Sequence, residues 1–364
     1  MIDSPDAEPT TLHVKPGCAP PALPDSTRYA LLRPQNVSAA DLVEVIQKGD
    51  RSALGKAITL VESSRPADRV LADQIVQKCL HASGTSIRVG ITGIPGAGKS
   101  SLIEALGKHL ITERGEKVAV LAIDPSSQLS GGSILGDKTR MTFLASSDSA
   151  FIRPTPSRGA HGGVAQHTRE AILLCEAAGY RNILVETVGV GQSEAAVREL
   201  VDFFLLVTIA GAGDELQGIK RGVMELADVV ALNKADGDNI QPSERTRAEA
   251  ESALHFLPSS ASGWLPCAIT CSAKTGHGVA DLWSCVLEYS ATTAANGWFE
   301  QRRREQARRS MHENLESGLM QLFRSDPTVQ KRLAELEEQV LSGQITVAAA
   351  VRDLLVLFSS KATR

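Results

Sequence analysis

At 364 residues, 43% hydrophobic and 22% charged, the chain can bury one large core or two modest ones and has the composition of an ordinary globular protein. A formal net charge of −4 provides no general field for DNA, RNA or an anionic membrane, which excludes nucleic acid as a partner class. No apolar run approaches the ~20 residues that cross a bilayer, so no membrane span is expected, and six cysteines without a C-x-x-C pair read as reduced thiols in a cytoplasmic protein.

Residues 1–37 carry Pro5, Pro9, Pro16, Pro20, Pro21, Pro24 and Pro34, a composition that favours an extended, poorly packed arm. Asp3, Asp6, Glu8 and Asp25 argue against a mitochondrial transit peptide. From Ser38 the pattern turns helical: Leu42, Val45, Ile46, Leu54, Ala57, Ile58 and Val61 recur at helical spacing, and a second helix follows Pro66. This predicts a helical hairpin over 38–84 that covers one side of a sheet.

Next comes a short apolar run that breaks into Gly93-Ile-Pro-Gly96-Ala97-Gly98-Lys99-Ser100-Ser101. At this spacing successive backbone N–H groups wrap a pyrophosphate, the lysine ammonium reaches the terminal phosphates and the serine hydroxyl ligates magnesium. A side chain at Gly98 is expected to stand where the phosphate must sit. Arg88–Thr92 reads as the strand before this loop, and Leu102, Ala105, Leu106, His109 and Leu110 give the helix after it an apolar face.

Strands are then expected at 117–124, 182–186, 203–209, 229–233 and 268–272, alternating with helical patterns. That is a doubly wound α/β domain with a mainly parallel sheet, placed at 85–293, with ligands at the strand ends. Asp124 and Glu186 end two of these strands in phase with the phosphate loop, so both are candidates to hold magnesium or its water, and Gly189 opens a backbone approach to a γ-phosphate. Asn233-Lys234-Ala-Asp236 follows another strand. Asp236 can accept from both N1–H and the exocyclic amine of guanine, while Lys234 can cover the base with its stem. Adenine would leave that carboxylate unpaired, so GTP and GDP are the expected ligands. Ser272-Ala273-Lys274 supplies a second backing for the base.

Glycine-rich, polar stretches at 129–141 and 188–192, and a charged one at 211–221, read as nucleotide-sensing switches. No glutamine directly follows Gly189, so slow intrinsic hydrolysis is expected, accelerated when a partner positions a cation such as Lys220 or Arg221. Cys267 and Cys271 share a face of a predicted strand and could hold a metal, but such thiols, like His161 and His167, are more commonly packing residues. From about Gly297 the chain is helical. Arg302, Arg303, Arg304, Arg308 and Arg309 are followed by an apolar stripe through Leu315, Leu319, Leu322, Phe323, Leu333, Leu336, Val340, Ile345, Val351, Leu354, Leu355 and Phe358. The stripe needs a partner surface, either the chain's own domain or a second copy.

Together Gly93-x4-Gly-Lys-Ser100, Asp124-Pro-Ser-Ser, Gly131-Gly-Ser-Ile-Leu-Gly-Asp-Lys-Thr-Arg-Met141, Glu186-Thr-Val-Gly-Val-Gly-Gln-Ser-Glu194, Gly211-Ala-Gly-Asp-Glu-Leu-Gln-Gly-Ile-Lys220 and Asn233-Lys-Ala-Asp236 resemble the MeaB and methylmalonic aciduria type A family of P-loop GTPases, from about residue 40 to the end. The resemblance implies a homodimeric GTPase chaperone of an adenosylcobalamin-dependent acyl-CoA mutase, gating cofactor loading and helping to remove damaged cofactor. A cobalamin adenosyltransferase is a further partner it implies. Carried onto this chain, Lys99, Ser100, Asp124, Asp137 and Glu186 serve phosphate and magnesium, Asp214 and Lys220 belong to a partner-responsive third switch, and 294–364 is a dimerisation segment. The mutase stays open among methylmalonyl-, isobutyryl-, ethylmalonyl- and 2-hydroxyisobutyryl-CoA mutases. Two rival readings are a kinase acting on amino-acid transport proteins, which would need an acceptor pocket, and a metal-insertion GTPase, which would need a histidine-rich tract or paired Cys/His ligands.

Overall fold

In the computed structural model, residues 38–63, 65–84, 86–124, 141–156, 163–187, 193–211, 221–258 and 260–362 are described. The proline-rich arm falls outside them. Residues from Ala39 onward belong to one unit.

Three helices open the described chain: α1 (Ala39–Gln47), α2 (Arg51–Val61) and α3 (Pro66–Cys79). The expected first helix is therefore broken in two. Gly49 takes φ 86°, which stops α1, and the Asp50 carboxylate accepts from Ala53 N at 2.7 Å to start α2. The helical spacing runs on across the break because both helices present their apolar face to the same core.

The remaining elements alternate: β1 (Ile87–Gly93), α4 (Lys99–Thr112), β2 (Val118–Asp124), α5 (Thr142–Ser146), β3 (Ala150–Pro156), α6 (Gly163–Ala177), β4 (Asn182–Thr187), α7 (Ser193–Arg198), β5 (Phe203–Ile209), α8 (Arg221–Met224), β6 (Val229–Asn233), α9 (Ile240–His255), β7 (Cys267–Thr270) and α10 (Val279–Ala295). The strands form a parallel seven-stranded sheet in the order β3-β2-β4-β1-β5-β6-β7. β3 was not foreseen, because Pro154 and Pro156 argue against a strand. It lies at the sheet edge, where a missing N–H on the outer side removes no ladder bond.

Strand residues alternate between two cores. Val118 and Val120 join Leu102, Leu106, Leu282 and Trp283 on the side of α4, α9 and α10. Ala119, Leu121 and Ile123 join Leu54, Ile58, Ile75 and Ile172 on the side of α1, α2, α3 and α6. The N-terminal helices thus cover one face of the sheet, as their composition led us to expect. With all strands parallel, Gly93, Asp124, Thr187, Asn233 and Thr270 end on one edge of the sheet, where the site forms.

Helices α11 (Trp298–Ser325), α12 (Pro327–Leu341) and α13 (Val347–Ala362) complete the chain. Three arginines of α11 bond to the body of the protein, while Arg304 and Arg308 are exposed. Arg303 donates to both Asp202 carboxylate oxygens (2.8 and 2.6 Å) and to the carbonyls of Gly84 and Ser86, and Arg302 donates to Arg198 O at 2.8 Å. Arg309 pairs with Glu199 at 2.5 Å. These bonds dock α11 at the edge of the sheet opposite the strand ends. Of the apolar stripe, Phe323, Leu333, Leu336, Val340, Ile345, Leu354 and Phe358 pack with one another. Leu315, Leu319, Leu322, Val351 and Leu355 stay exposed on the single chain. Among the described residues no helix is long and apolar enough to cross a membrane.

Candidate functional site

The Gly93–Ser101 loop joins β1 to α4 with the backbone its glycines allow. Gly93, Gly96 and Gly98 take φ of 150°, 79° and 85°, a run of positive values that only glycine adopts without strain. A Cβ on Gly93 would lie 2.0 Å from the Val207 carbonyl of β5. A Cβ on Gly98 would lie 2.7 Å from Asn233 Nδ2, so protein packing forbids a side chain there independently of any phosphate. Ala97 is buried and Ser101 exposed.

Lys99 folds into this loop, donating from Nζ to the carbonyls of Gly93 (2.8 Å) and Ile94 (3.2 Å). Burial pushes its ammonium below the usual lysine range, opposed by the carboxylates of Glu186 and Glu194. Glu186, near the end of β4, is buried, and its Oε1 accepts from Ser100 Oγ at 2.9 Å. One step along, Thr187 Oγ1 donates to Thr92 Oγ1 at 2.8 Å, tying β4 to β1 beneath the loop. Asp124 closes β2, and the register sets Ile123 of β2 beside Thr187 of β4, so the backbone brings Asp124 to the same edge as Glu186. Ser100 and Glu186 together present the hard oxygen donors that magnesium takes. Sequence position alone assigns Glu194 no task. It is buried on α7 and acts on Lys99 through space. Its signal was the placement of an acidic residue in the first turn after a glycine-rich loop.

The second half of the site is interlocked with the first. Asn233 donates from Nδ2 to Ala97 O at 2.8 Å and accepts at Oδ1 from Ala273 N at 3.1 Å, joining three loops through one buried amide. Ser272 Oγ donates to Asp236 Oδ2 at 2.5 Å, orienting a half-buried carboxylate whose other oxygen remains for a ligand edge. Lys234 between them is exposed and takes φ 62°, the one non-glycine residue with positive φ among those described. Lys274 is also exposed beside the same loop. Asp137, Gly189, Asp214 and Lys220, with most of the three switch-like stretches, lie outside the described residues, and the side chains of Asp124 and Arg221 do as well. Among the described residues no group of three or more His, Cys, Asp or Glu able to bind an ion occurs.

A parallel sheet with a glycine loop, lysine and serine after its central strand, and an Asn-Lys-x-Asp turn two strands away, defines the chain as a P-loop GTPase. The family described as Methylmalonyl Co-A mutase-associated GTPase MeaB matches residues 54–328, and the chain belongs to it. It is 49% identical over 314 residues to a probable GTPase of Mycobacterium tuberculosis, covering 86% of this chain and 93% of that protein. It is 43% identical over 324 residues to the mouse protein described as a mitochondrial methylmalonic aciduria type A homolog (86% and 78% covered). A crystal structure of a protein described as LAO/AO transport system kinase superposes with a TM-score of 0.70 at 35% identity, covering 89% of this chain and all of that one.

Proposed function

We propose that the protein is a GTP-dependent chaperone of an adenosylcobalamin-dependent acyl-CoA mutase, methylmalonyl-CoA mutase or a close relative, which it serves by gating cofactor loading and protecting or reactivating the enzyme. The observation that carries this reading is the family match across 54–328, which spans the phosphate loop, the guanine-facing loops and all three switch-like stretches.

In this reading Gly93, Gly96, Ala97, Gly98 and Ser101 shape the phosphate cradle, and Lys99 faces the terminal phosphates. Ser100, Asp124, Asp137 and Glu186 hold magnesium directly or through water. The metal, when bound, neutralises charge developing on the transferred phosphoryl oxygens. Asn233 braces the loops, while Asp236, fixed by Ser272, selects guanine, with Lys234, Ala273 and Lys274 around the base. Gly189 leaves room at the γ-phosphate, and Lys220 supplies the cation that a docked partner brings into place, so hydrolysis is slow alone and faster with the mutase. The exposed Leu315, Leu319, Leu322, Val351 and Leu355 support a homodimer through the C-terminal helices. The free thiols of the five described cysteines support a reducing compartment such as the cytoplasm. A cobalamin adenosyltransferase is a second candidate partner.

The test is GTP hydrolysis by the full chain with each of the host's cobalamin-dependent mutases in turn. Stimulation by one mutase supports the reading. A kinase reading is favoured only by the description of the structural neighbour, and γ-phosphate appearing on a transport protein rather than in solution would replace the chaperone with it.

A further inference from the structure

Cys267 opens β7 and Cys285 lies on α10, eighteen residues later, with their sulfurs 3.6 Å apart. Both are free thiols in contact. The two differ in exposure: Cys285 is 7% exposed, whereas Cys267 is only partly covered and reachable from solvent. Either sulfur can donate across this contact, and the contact with Cys285 draws the Cys267 thiol below the ordinary cysteine range against burial and the nearby Glu251 and Glu288 carboxylates. Burial pushes Cys271 and Cys79 the other way, to about 12 and about 11. Cys267 is thus the described cysteine best placed to react, and a second thiol already touches it.

The surroundings decide what gives way when the sulfurs close to the ~2.05 Å of a disulfide. Helix α10 is anchored by Leu282, Trp283, Val286 and Tyr289, all buried in the main core. β7 is an edge strand of four residues laddered only to β6. Its continuation, Cys271-Ser272-Ala273, carries the hydroxyl that holds Asp236 and the N–H that holds Asn233.

We propose that Cys267 and Cys285 are a redox-responsive pair that a small-molecule disulfide converts to an intramolecular cross-link, and that this cross-link shifts β7 and loosens the guanine-facing loop. The Cys267 thiolate attacks one sulfur of the oxidant, forming a mixed disulfide and expelling one thiol. Capping Cys267 removes the largest of the influences that hold the Cys285 proton in place, leaving burial and the Glu288 and Asp228 carboxylates against its loss. Cys285 then loses its proton and attacks Cys267 Sγ, expelling the second thiol. Two protein thiols become one disulfide, while the oxidant takes up the two electrons and both protons. The effect on nucleotide rests on the reading of Asp236 and Ser272 as guanine contacts; the cross-link does not.

The full-length protein, reduced and then treated with oxidised glutathione, is mapped by non-reducing peptide analysis while release of a fluorescent GDP analogue is followed. The expected result is a Cys267–Cys285 peptide, GDP release faster by about three- to tenfold, the size of one weakened buried hydrogen bond, and reversal by dithiothreitol. Cys267→Ser and Cys285→Ala should each abolish both changes and release GDP as the reduced wild type does. The absence of that peptide under conditions that oxidise other cysteines, or an oxidant response that survives in Cys267→Ser, overturns the pair. A mapped cross-link with unchanged GDP release overturns the coupling. A reduced protein that binds no guanine nucleotide defeats the GTPase site reading instead, and the peptide map, which needs no nucleotide, still decides the cysteines.

Discussion

The two edges of the sheet treat buried charge in opposite ways. At the edge where the strands begin, charges close on one another: Glu176 takes Arg88 and Ser86, Asp202 takes Arg303 and the Arg88 N–H, and Asp228 takes both arms of Arg198 and the Phe204 N–H. At the edge where the strands end, Lys99 donates to two backbone carbonyls, Glu186 accepts from a serine hydroxyl, and Asp236 is held by a serine on one oxygen. Saturated networks hold an architecture together, here the docking of α11. Polar groups oriented by hydroxyls and backbone carbonyls are the arrangement that receives a charged ligand.

Substitutions on each edge sharpen that contrast. The largest effect is expected from Asp236→Ala, which should erase a preference for guanine over adenine on the order of 10⁴, read as the ratio of GTP to ATP affinities. Asp202→Ala breaks the opposite edge. It leaves Arg303 with carbonyl partners but no counter-ion and should lower unfolding free energy by about 3–5 kcal/mol in denaturant titration while leaving GDP affinity of the folded protein unchanged. If GDP affinity falls in proportion to stability, the two edges are not separable and the contrast fails. Lys99→Ala should slow hydrolysis by about 10²–10³ in single-turnover assays, with little change in melting temperature. The smallest effect belongs to Glu104→Ala. Glu104 on α4 accepts from Phe143 N (2.6 Å) and Leu144 N (3.2 Å) at the start of α5, where the chain returns from the first switch-like stretch. Its loss should cost about 1 kcal/mol, seen as faster amide exchange at 143 and 144.

Much of the strand-end edge could be read from sequence because its chemistry is local: Gly93 to Ser100 and Asn233 to Asp236 each fit within a few residues, and a strand precedes each. The opposite edge could not. Arg303 and Asp202 are 101 residues apart, and a run of arginines looks the same whether it faces water or a buried carboxylate. β3 escaped because its prolines are permissible only at a sheet edge, and edge position is a property of the assembled sheet. The break at Gly49 escaped because both flanking helices keep the same buried face. Glu194 escaped because its relation to Lys99 is electrostatic and spans 95 residues.

Lys234 gives the strand-end edge a standing thermodynamic liability. A lysine at φ 62° is disfavoured by about 1 kcal/mol relative to glycine at the same place, and the penalty applies to the empty protein as fully as to the loaded one. A glycine there is expected to give a tougher protein. On the proposed reading, in which the Lys234 stem covers the base, folding free energy is surrendered in advance so that recognition need not bend the backbone later.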